Sequence, residues 1–266
     1  MEVKKLYGLI IKDDKRYDYT QKYLEKNGFI IQNKYDKKIK FILFPFKENI
    51  DNIIYDKKFF SNLSKDTLIF SGIENKYIKL MCDENNLNYE PIMNSDYVAI
   101  LNAVPTAEGV ISYLIQNRKK TIMDSKILVI GYGRCGKVLA QKLALLGAKV
   151  YTNTLKQSDY AKAITNKIIP FYEMNFWNND FDIIINTACA QTIDNKNLEY
   201  ISDKTLLIDI TPVGFEIDAA RKKNPYSNRL LAIPSKFALQ SAGEILGKYI
   251  YERVIECLPT KKLDSV

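Results

Sequence analysis

The sequence predicts an α/β chain of two domains, each built on a mostly parallel sheet. Three observations carry this expectation. Short apolar runs alternate with helix-length amphipathic stretches along the chain, the pattern of successive βα units. A strand-like run at 126–130 leads directly into Gly131-Tyr132-Gly133-Arg134-Cys135-Gly136 and then a helical pattern. A length of 266 residues also admits two domains, at roughly 100–200 residues each.

In the first part of the chain, strands are expected at 7–12, 29–32, 40–46, 67–71 and, weakly, 89–92, with helices over 17–26 and 75–84. Gly28 stands where a helix stop is expected, since a left-handed backbone costs glycine nothing. A connecting helix is predicted from Pro105 to about Lys119. Pro105 is placed in its first turn, Glu108 near its positive end, and Arg118, Lys119 and Lys120 in its last turn. A second βα series follows, with strands at 126–130, 150–152, 168–170, 183–186, 206–210 and 230–233. A final helix over 235–256 carries Phe237, Ile245, Tyr249 and Val254 as its apolar stripe. The expected division is 1–115 with 235–256 as one domain and 116–234 as the other, leaving 257–266 as a frayed tail.

Composition narrows the chemistry. The chain has no histidine, which excludes Ser-His-Asp and Cys-His catalysis and any zinc site with His ligands. The four cysteines, Cys82, Cys135, Cys189 and Cys257, form no CxxC pair; free thiols and no metal are expected, with Cys189 read as a small buried filler. The net charge of +8 comes from scattered lysine pairs interspersed with acids, so no nucleic-acid partner is expected. The apolar run near the N-terminus is too short for a signal peptide. No later stretch is expected to approach the roughly 20 apolar residues of a membrane span, so the reading is cytoplasmic with no membrane partner.

The glycine motif carries the main functional signal. Gly131 permits a tight turn, Gly133 lets backbone approach a pyrophosphate, and Gly136 lets helix and strand pack closely. The pyrophosphate would rest on the helix N-terminus. Leu139, Leu143 and Leu146 form the core face of that helix, and Gly147 ends it. This order of strand, turn, helix and strand is the dinucleotide fingerprint of a Rossmann domain. NAD-specific sites end the next strand with an acid that holds the ribose 2′-OH. Here the segment reads Asn153-Thr154-Leu155-Lys156, with no acid until Asp159, so NADP is expected in preference to NAD.

Three further segments extend the pattern: Asn102-Ala103-Val104-Pro105-Thr106-Ala107-Glu108-Gly109, Phe70-Ser71-Gly72 and Ser241-Ala242-Gly243-Glu244. Together with the glycine motif they resemble the A-type (dehydrogenase) subunit family of dipicolinate synthase over nearly the whole chain. The resemblance implies an architecture like the D-2-hydroxyacid dehydrogenases: a flavodoxin-like N-terminal domain, a Rossmann NAD(P)-binding domain, and a C-terminal helix packing back on the first domain. It implies oxidation of dihydrodipicolinate to dipicolinate and a flavoprotein-like second (B-type) subunit. It also implies a homo-oligomer and a place in the mother cell of a sporulating bacterium.

Carried onto this chain, the resemblance makes Arg16, in Asp14-Lys15-Arg16, a grip for one substrate carboxylate and Asn102 and Thr106 donors to the other. Glu108 is a candidate acceptor of the ring proton or a support for the helix terminus, and Lys236 a candidate ligand of the substrate. Gly131, Gly133, Arg134, Cys135, Gly136, Asn153, Thr154, Lys156 and Thr187 are the candidates for holding the cofactor. The chain differs from the family at Lys12-Asp13, Ala188-Cys189, Thr211-Pro212-Val213 and Leu231-Ala232-Ile233. A non-catalytic NADP(H)-binding subunit or sensor, or a dehydrogenase for another small carboxylate, stays open at this point.

Overall fold

The computed structural model describes residues 5–46, 54–153, 157–171 and 180–258. Thr154 and Lys156, and the tail from 259 onward, lie outside the described residues. The chain forms two compact units, Met1–Leu101 with Leu239–Val266, and Asn102–Ala238.

In the first unit, strands β1 (Leu6–Ile10), β2 (Phe29–Gln32), β3 (Ile39–Leu43), β4 (Leu68–Ser71) and β5 (Tyr89–Pro91) pair in parallel in the order β2-β1-β3-β4-β5. β1, β3 and β4 are almost wholly buried, so their sequences read as near-continuous apolar runs, interrupted in β3 by the half-buried Lys40. The helices are α1 (Arg16–Lys26), α2 (Lys57–Ser61) and α3 (Lys76–Glu84). The short helix α2 has no counterpart among the expected elements; the Asp56 carboxylate caps it by accepting from the Phe59 amide at 2.8 Å. Gly28 adopts φ 90° just past α1, as expected of a helix stop.

The second unit holds β6 (Lys126–Ile130), β7 (Lys149–Asn153), β8 (Ile169–Phe171), β9 (Ile183–Asn186), β10 (Leu206–Asp209) and β11 (Asn228–Arg229). All pairings are parallel, in the order β11-β10-β9-β6-β7-β8. The chain runs outward from β6 to β8, then returns to β9 and runs out the other way. The carboxyl ends of β6 and β9 therefore flank the switch point where doubly wound sheets take ligands.

Helix α4 (Asp96–Asn117) begins nine residues before the expected start and ends at Asn117, which corrects four expectations. Pro105 lies inside the helix and not in its first turn, leaving the Leu101 carbonyl without its helical donor. The change of unit falls at Leu101 and Asn102, at that same point in the helix. Glu108 is mid-helix and has no helix terminus to support, and Arg118 to Lys120 follow the last turn. The expectation that no stretch approaches a membrane span is corrected too. α4 is long and apolar enough by length and composition, but 50% of its apolar stretch is buried inside the fold. Ala103, Ala107, Val110 and Leu114 are the side chains that account for this in the second unit.

The remaining helices are α5 (Arg134–Leu145), α6 (Gln157–Thr165), α7 (Asn195–Glu199), α8 (Ile217–Lys223), α9 (Ile233–Phe237) and α10 (Leu239–Glu256). α5 buries Gly136, Leu139, Ala140 and Leu143, while Leu146 lies beyond its end and is exposed. The strand expected at 230–233 is instead Asn228–Arg229. Ala232 takes a left-handed conformation, φ 54°, and Ile233 opens α9 with Pro234 in its first turn. The single final helix is in fact two, broken at Ala238 (φ −141°, ψ 54°). Phe237 is consequently exposed, and the buried stripe of α10 is Ala242, Leu246, Ile250 and Val254.

α10 packs on α1 within the first unit. A Cβ at Gly243 would meet the Arg16 carbonyl oxygen at 2.4 Å, so the two backbones approach as only glycine allows. The Thr20 hydroxyl seals the contact by donating to the Gly243 carbonyl at 2.9 Å.

Candidate active site

The glycine turn is the best-defined ligand geometry in the second unit. Gly131 follows β6 with φ +87°, a backbone that side chains resist. A Cβ on Gly136 would stand 2.1 Å from the Gly131 carbonyl oxygen, so the first turn of α5 lies directly on the glycine turn. Among the described residues, a Cβ on Gly133 would meet nothing within 4 Å. No side chain among the described residues caps α5, and no acid sits in its first turn. A positive helix end beside an open stretch of backbone suits a pyrophosphate.

Two neighbours fix the turn. The Asn153 carboxamide oxygen, at the end of β7, accepts from the Gly131 amide at 2.8 Å. The Thr187 hydroxyl, just past β9, donates to the carbonyls of Ile130 at 2.9 Å and Gly131 at 3.1 Å. The structure thus brings together Gly131, Gly133, Gly136, Asn153 and Thr187. Arg134 opens α5 and is exposed, and Cys135 is half-buried; burial raises the Cys135 thiol against the nearby Arg134 charge. Cys189 is exposed rather than a buried filler, because the chain has left β9 by that point.

The residues expected to meet substrate are more dispersed. The Thr106 hydroxyl donates to the Asn102 carbonyl at 2.8 Å, one helical turn back. The Glu108 carboxylate pairs with Lys142 of α5 at 2.9 Å. A Cβ on the adjacent Gly109 would meet Ile233 at 2.2 Å, so α9, which carries Lys236, crosses α4 here; Lys236 itself is exposed. In the first unit Arg16 is nearly buried. Its Nε and Nη2 bind both oxygens of Asp14, at 2.9 and 2.7 Å, and its guanidinium stacks 3.9 Å from the Phe46 ring centre. Burial pushes the Asp14 carboxyl up, but hydrogen bonds and charge from Arg16 outweigh it, leaving it below its ordinary value. Two of the three guanidinium nitrogens are therefore already engaged.

Sequence reasoning missed a buried network at the ends of β9, β10 and β11. The Asp209 carboxylate accepts from Asn186, Thr211, Gly214, Phe215 and Arg229. The strand end at Asp209 is visible in the sequence, but nothing local points to Arg229 as its partner.

A Rossmann-ordered sheet with this glycine turn, in a chain that carries a second parallel-sheet unit, defines the fold of a two-domain dehydrogenase of the D-2-hydroxyacid type. A D-lactate dehydrogenase from Sporolactobacillus sp. has the same fold, with a TM-score of 0.67 at 14% identity over 97% of both chains. Nearer likenesses are two A-type subunits of dipicolinate synthase. The one from Bacillus halodurans has a TM-score of 0.83 at 24% identity, over 94% of this chain and 97% of that one. The one from Bacillus subtilis has a TM-score of 0.86 at 23% identity, over 96% and 97%. In sequence, the chain is 30% identical over 193 residues to the A-type subunit of dipicolinate synthase from Bacillus subtilis (strain 168), covering 71% of this chain and 65% of that protein. In sequence and in fold, then, the chain is similar to A-type subunits of dipicolinate synthase. That sequence match spans slightly less than two thirds of the relative's length. No family model matches the chain.

Proposed function

We propose that this chain oxidises dihydrodipicolinate to dipicolinate by hydride transfer to NADP⁺. The observation that carries the reading is the open glycine turn on an uncapped α5, in a chain related to the A-type subunits of dipicolinate synthase. The bound nicotinamide would supply the hydride acceptor. The substrate ring loses a hydride from one carbon and a proton from another position, yielding aromatic dipicolinate, NADPH and H⁺. Aromatisation drives the step, so positioning outweighs acid–base power and the lack of histidine is no handicap.

In this reading the amides at the start of α5 hold the pyrophosphate, flanked by Arg134, Cys135 and Thr187. Asn153, Thr154 and Lys156 are the candidates for the 2′-phosphate, which an acid in their place would repel; the Asn153 oxygen also holds Gly131. Within the second unit, Asn102, Thr106 and Lys236 are the candidates for a substrate carboxylate and Glu108 for the ring proton. In the first unit the candidate is Arg16. That unit's strand order is the one found in flavodoxin-like sheets, which supports a substrate domain of that type. A flavoprotein-like second subunit, self-association and a cytoplasmic site of action belong to the same proposal.

The test is turnover by the purified chain, alone and with a candidate flavoprotein-like partner, using NADP⁺ and NAD⁺ in parallel. NADPH and dipicolinate should appear in equal amounts. Equal turnover with NAD⁺ would refute the NADP preference. Binding of NADPH without dipicolinate formation in any combination would replace the enzyme with a nucleotide-binding role alone.

A further inference from the structure

The network around Asp209 does more than close the sheet edge. Asp209 ends β10 and is fully buried. Its Oδ1 accepts from Asn186 Nδ2 and from both the amide and the hydroxyl of Thr211, each at 2.9 Å. Its Oδ2 accepts from the Gly214 amide at 3.1 Å, the Phe215 amide at 3.4 Å and Arg229 Nε at 3.0 Å. Arg229 also donates through Nη2 to the Phe215 carbonyl at 2.5 Å. Gly214 must be glycine, since a Cβ there would stand 2.1 Å from Asn186 Nδ2 and 2.4 Å from Asp209 Oδ1.

One carboxylate thus orders a loop that has no helix or strand of its own, with Val213 facing solvent above it. The same carboxylate reaches the glycine turn. Asn186 bonds the Ala188 carbonyl at 3.0 Å, and Thr187 between them bonds Gly131. A buried ion pair is weak evidence of stability alone, because apolar side chains of similar volume fill such space as well. A carboxylate is needed where several backbone amides must converge. The loop follows β10 at the carboxyl edge of the sheet. It lies on the side of the switch point away from β7, where the nicotinamide half of a dinucleotide rests.

We propose that Asp209, held by Arg229, is a positioning residue that sets the 211–215 loop and the 186–188 turn for the nicotinamide end of the cofactor. The proposal rests on the dinucleotide reading above. Its test compares two ligands on the full chain: NADPH, and 2′-phospho-ADP-ribose, which lacks only the nicotinamide. Asp209→Asn should weaken NADPH roughly 10- to 100-fold. Affinity for 2′-phospho-ADP-ribose should fall far less, because only the Thr187 link reaches the pyrophosphate side. Arg229→Lys should recover part of what Arg229→Met loses. Should Asp209→Asn not fold, Arg229→Met carries the same comparison, as that side chain is 25% exposed. Equal losses for both ligands would make the network merely structural and overturn the proposal, as would no loss for either. Wild-type protein that binds neither ligand would instead overturn the dinucleotide reading itself.

Discussion

Gly136→Ala and Gly133→Ala separate two uses of glycine within one loop. At Gly136 the new methyl would sit 2.1 Å from the Gly131 carbonyl oxygen and 2.9 Å from Thr187 Oγ1. The nearer obstacle is backbone, so α5 and the glycine turn must part. Overpacking of this kind costs about 1–3 kcal/mol, offset by roughly 0.5–1 kcal/mol from alanine's better helix propensity. The net loss should lower the melting temperature by several degrees, at about 2–4 °C per kcal/mol for a chain of this size. NADPH affinity should fall with it, because the displaced turn is the one that would meet the pyrophosphate. At Gly133 the methyl meets no atom of the described residues within 4 Å, and φ −79° suits alanine. Stability should therefore stay within about 0.5 kcal/mol of wild type. Affinity should nonetheless fall tenfold or more, about 1.4 kcal/mol, because the methyl occupies the space a phosphate would enter. Thermal denaturation with NADPH titration reads both quantities. A Gly133→Ala protein that binds NADPH as wild type does would refute the pyrophosphate placement. A Gly136→Ala protein with unchanged melting would refute the steric argument.

Three other outcomes follow from the packing. Gly243→Ala should destabilise the first unit by about 1–3 kcal/mol despite its better helix propensity, because its methyl meets the Arg16 carbonyl; urea denaturation reads this directly. Arg253 Nε binds Glu90 at 2.9 Å, and the pair joins α10 to β5. Hydrogen bonds from Arg253 hold the Glu90 carboxyl below its ordinary value, against the effect of burial. Glu90 therefore adds stability above the ordinary glutamate pKa, and that stability is lost as pH falls through the lowered folded-state value. Arg253→Met should cost about 1 kcal/mol at neutral pH, given the pair's partial exposure, and should flatten this acid-side slope in urea midpoints measured across pH. Alkylation of the native protein should modify the exposed Cys189 and Cys257 and spare Cys82, whose thiol burial pushes up to about 12; peptide mapping checks the sites.

Much of the architecture is legible in the sequence because its signals are local. Buried parallel strands such as Ile183–Asn186 and Lys126–Ile130 are near-continuous apolar runs, and their expected and observed bounds coincide. The glycine turn is legible for the same reason: three glycines within six residues serve one local backbone path. The start of α4 is not, because Pro105 marks a first turn by its local preference, whereas here the helix runs through it from Asp96. The separation of α9 from α10 is hidden because the break rests on backbone angles at Ala232 and Ala238, residues that carry no turn preference.

By itself, then, the sequence determined the βα alternation, the nucleotide-type turn after β6 and the absence of histidine chemistry, each a property of neighbouring residues or of composition. Tertiary structure alone decided what the polar residues do. Arg16 is engaged by Asp14, Glu108 is paired with Lys142, and Asn153 is bonded to the Gly131 amide. Asp209 collects partners 23 residues behind it and 20 ahead. The physical reason is that apolar burial is periodic and shows in the order of residues. A hydrogen-bond partner is chosen by whichever strand end the folded sheet brings alongside.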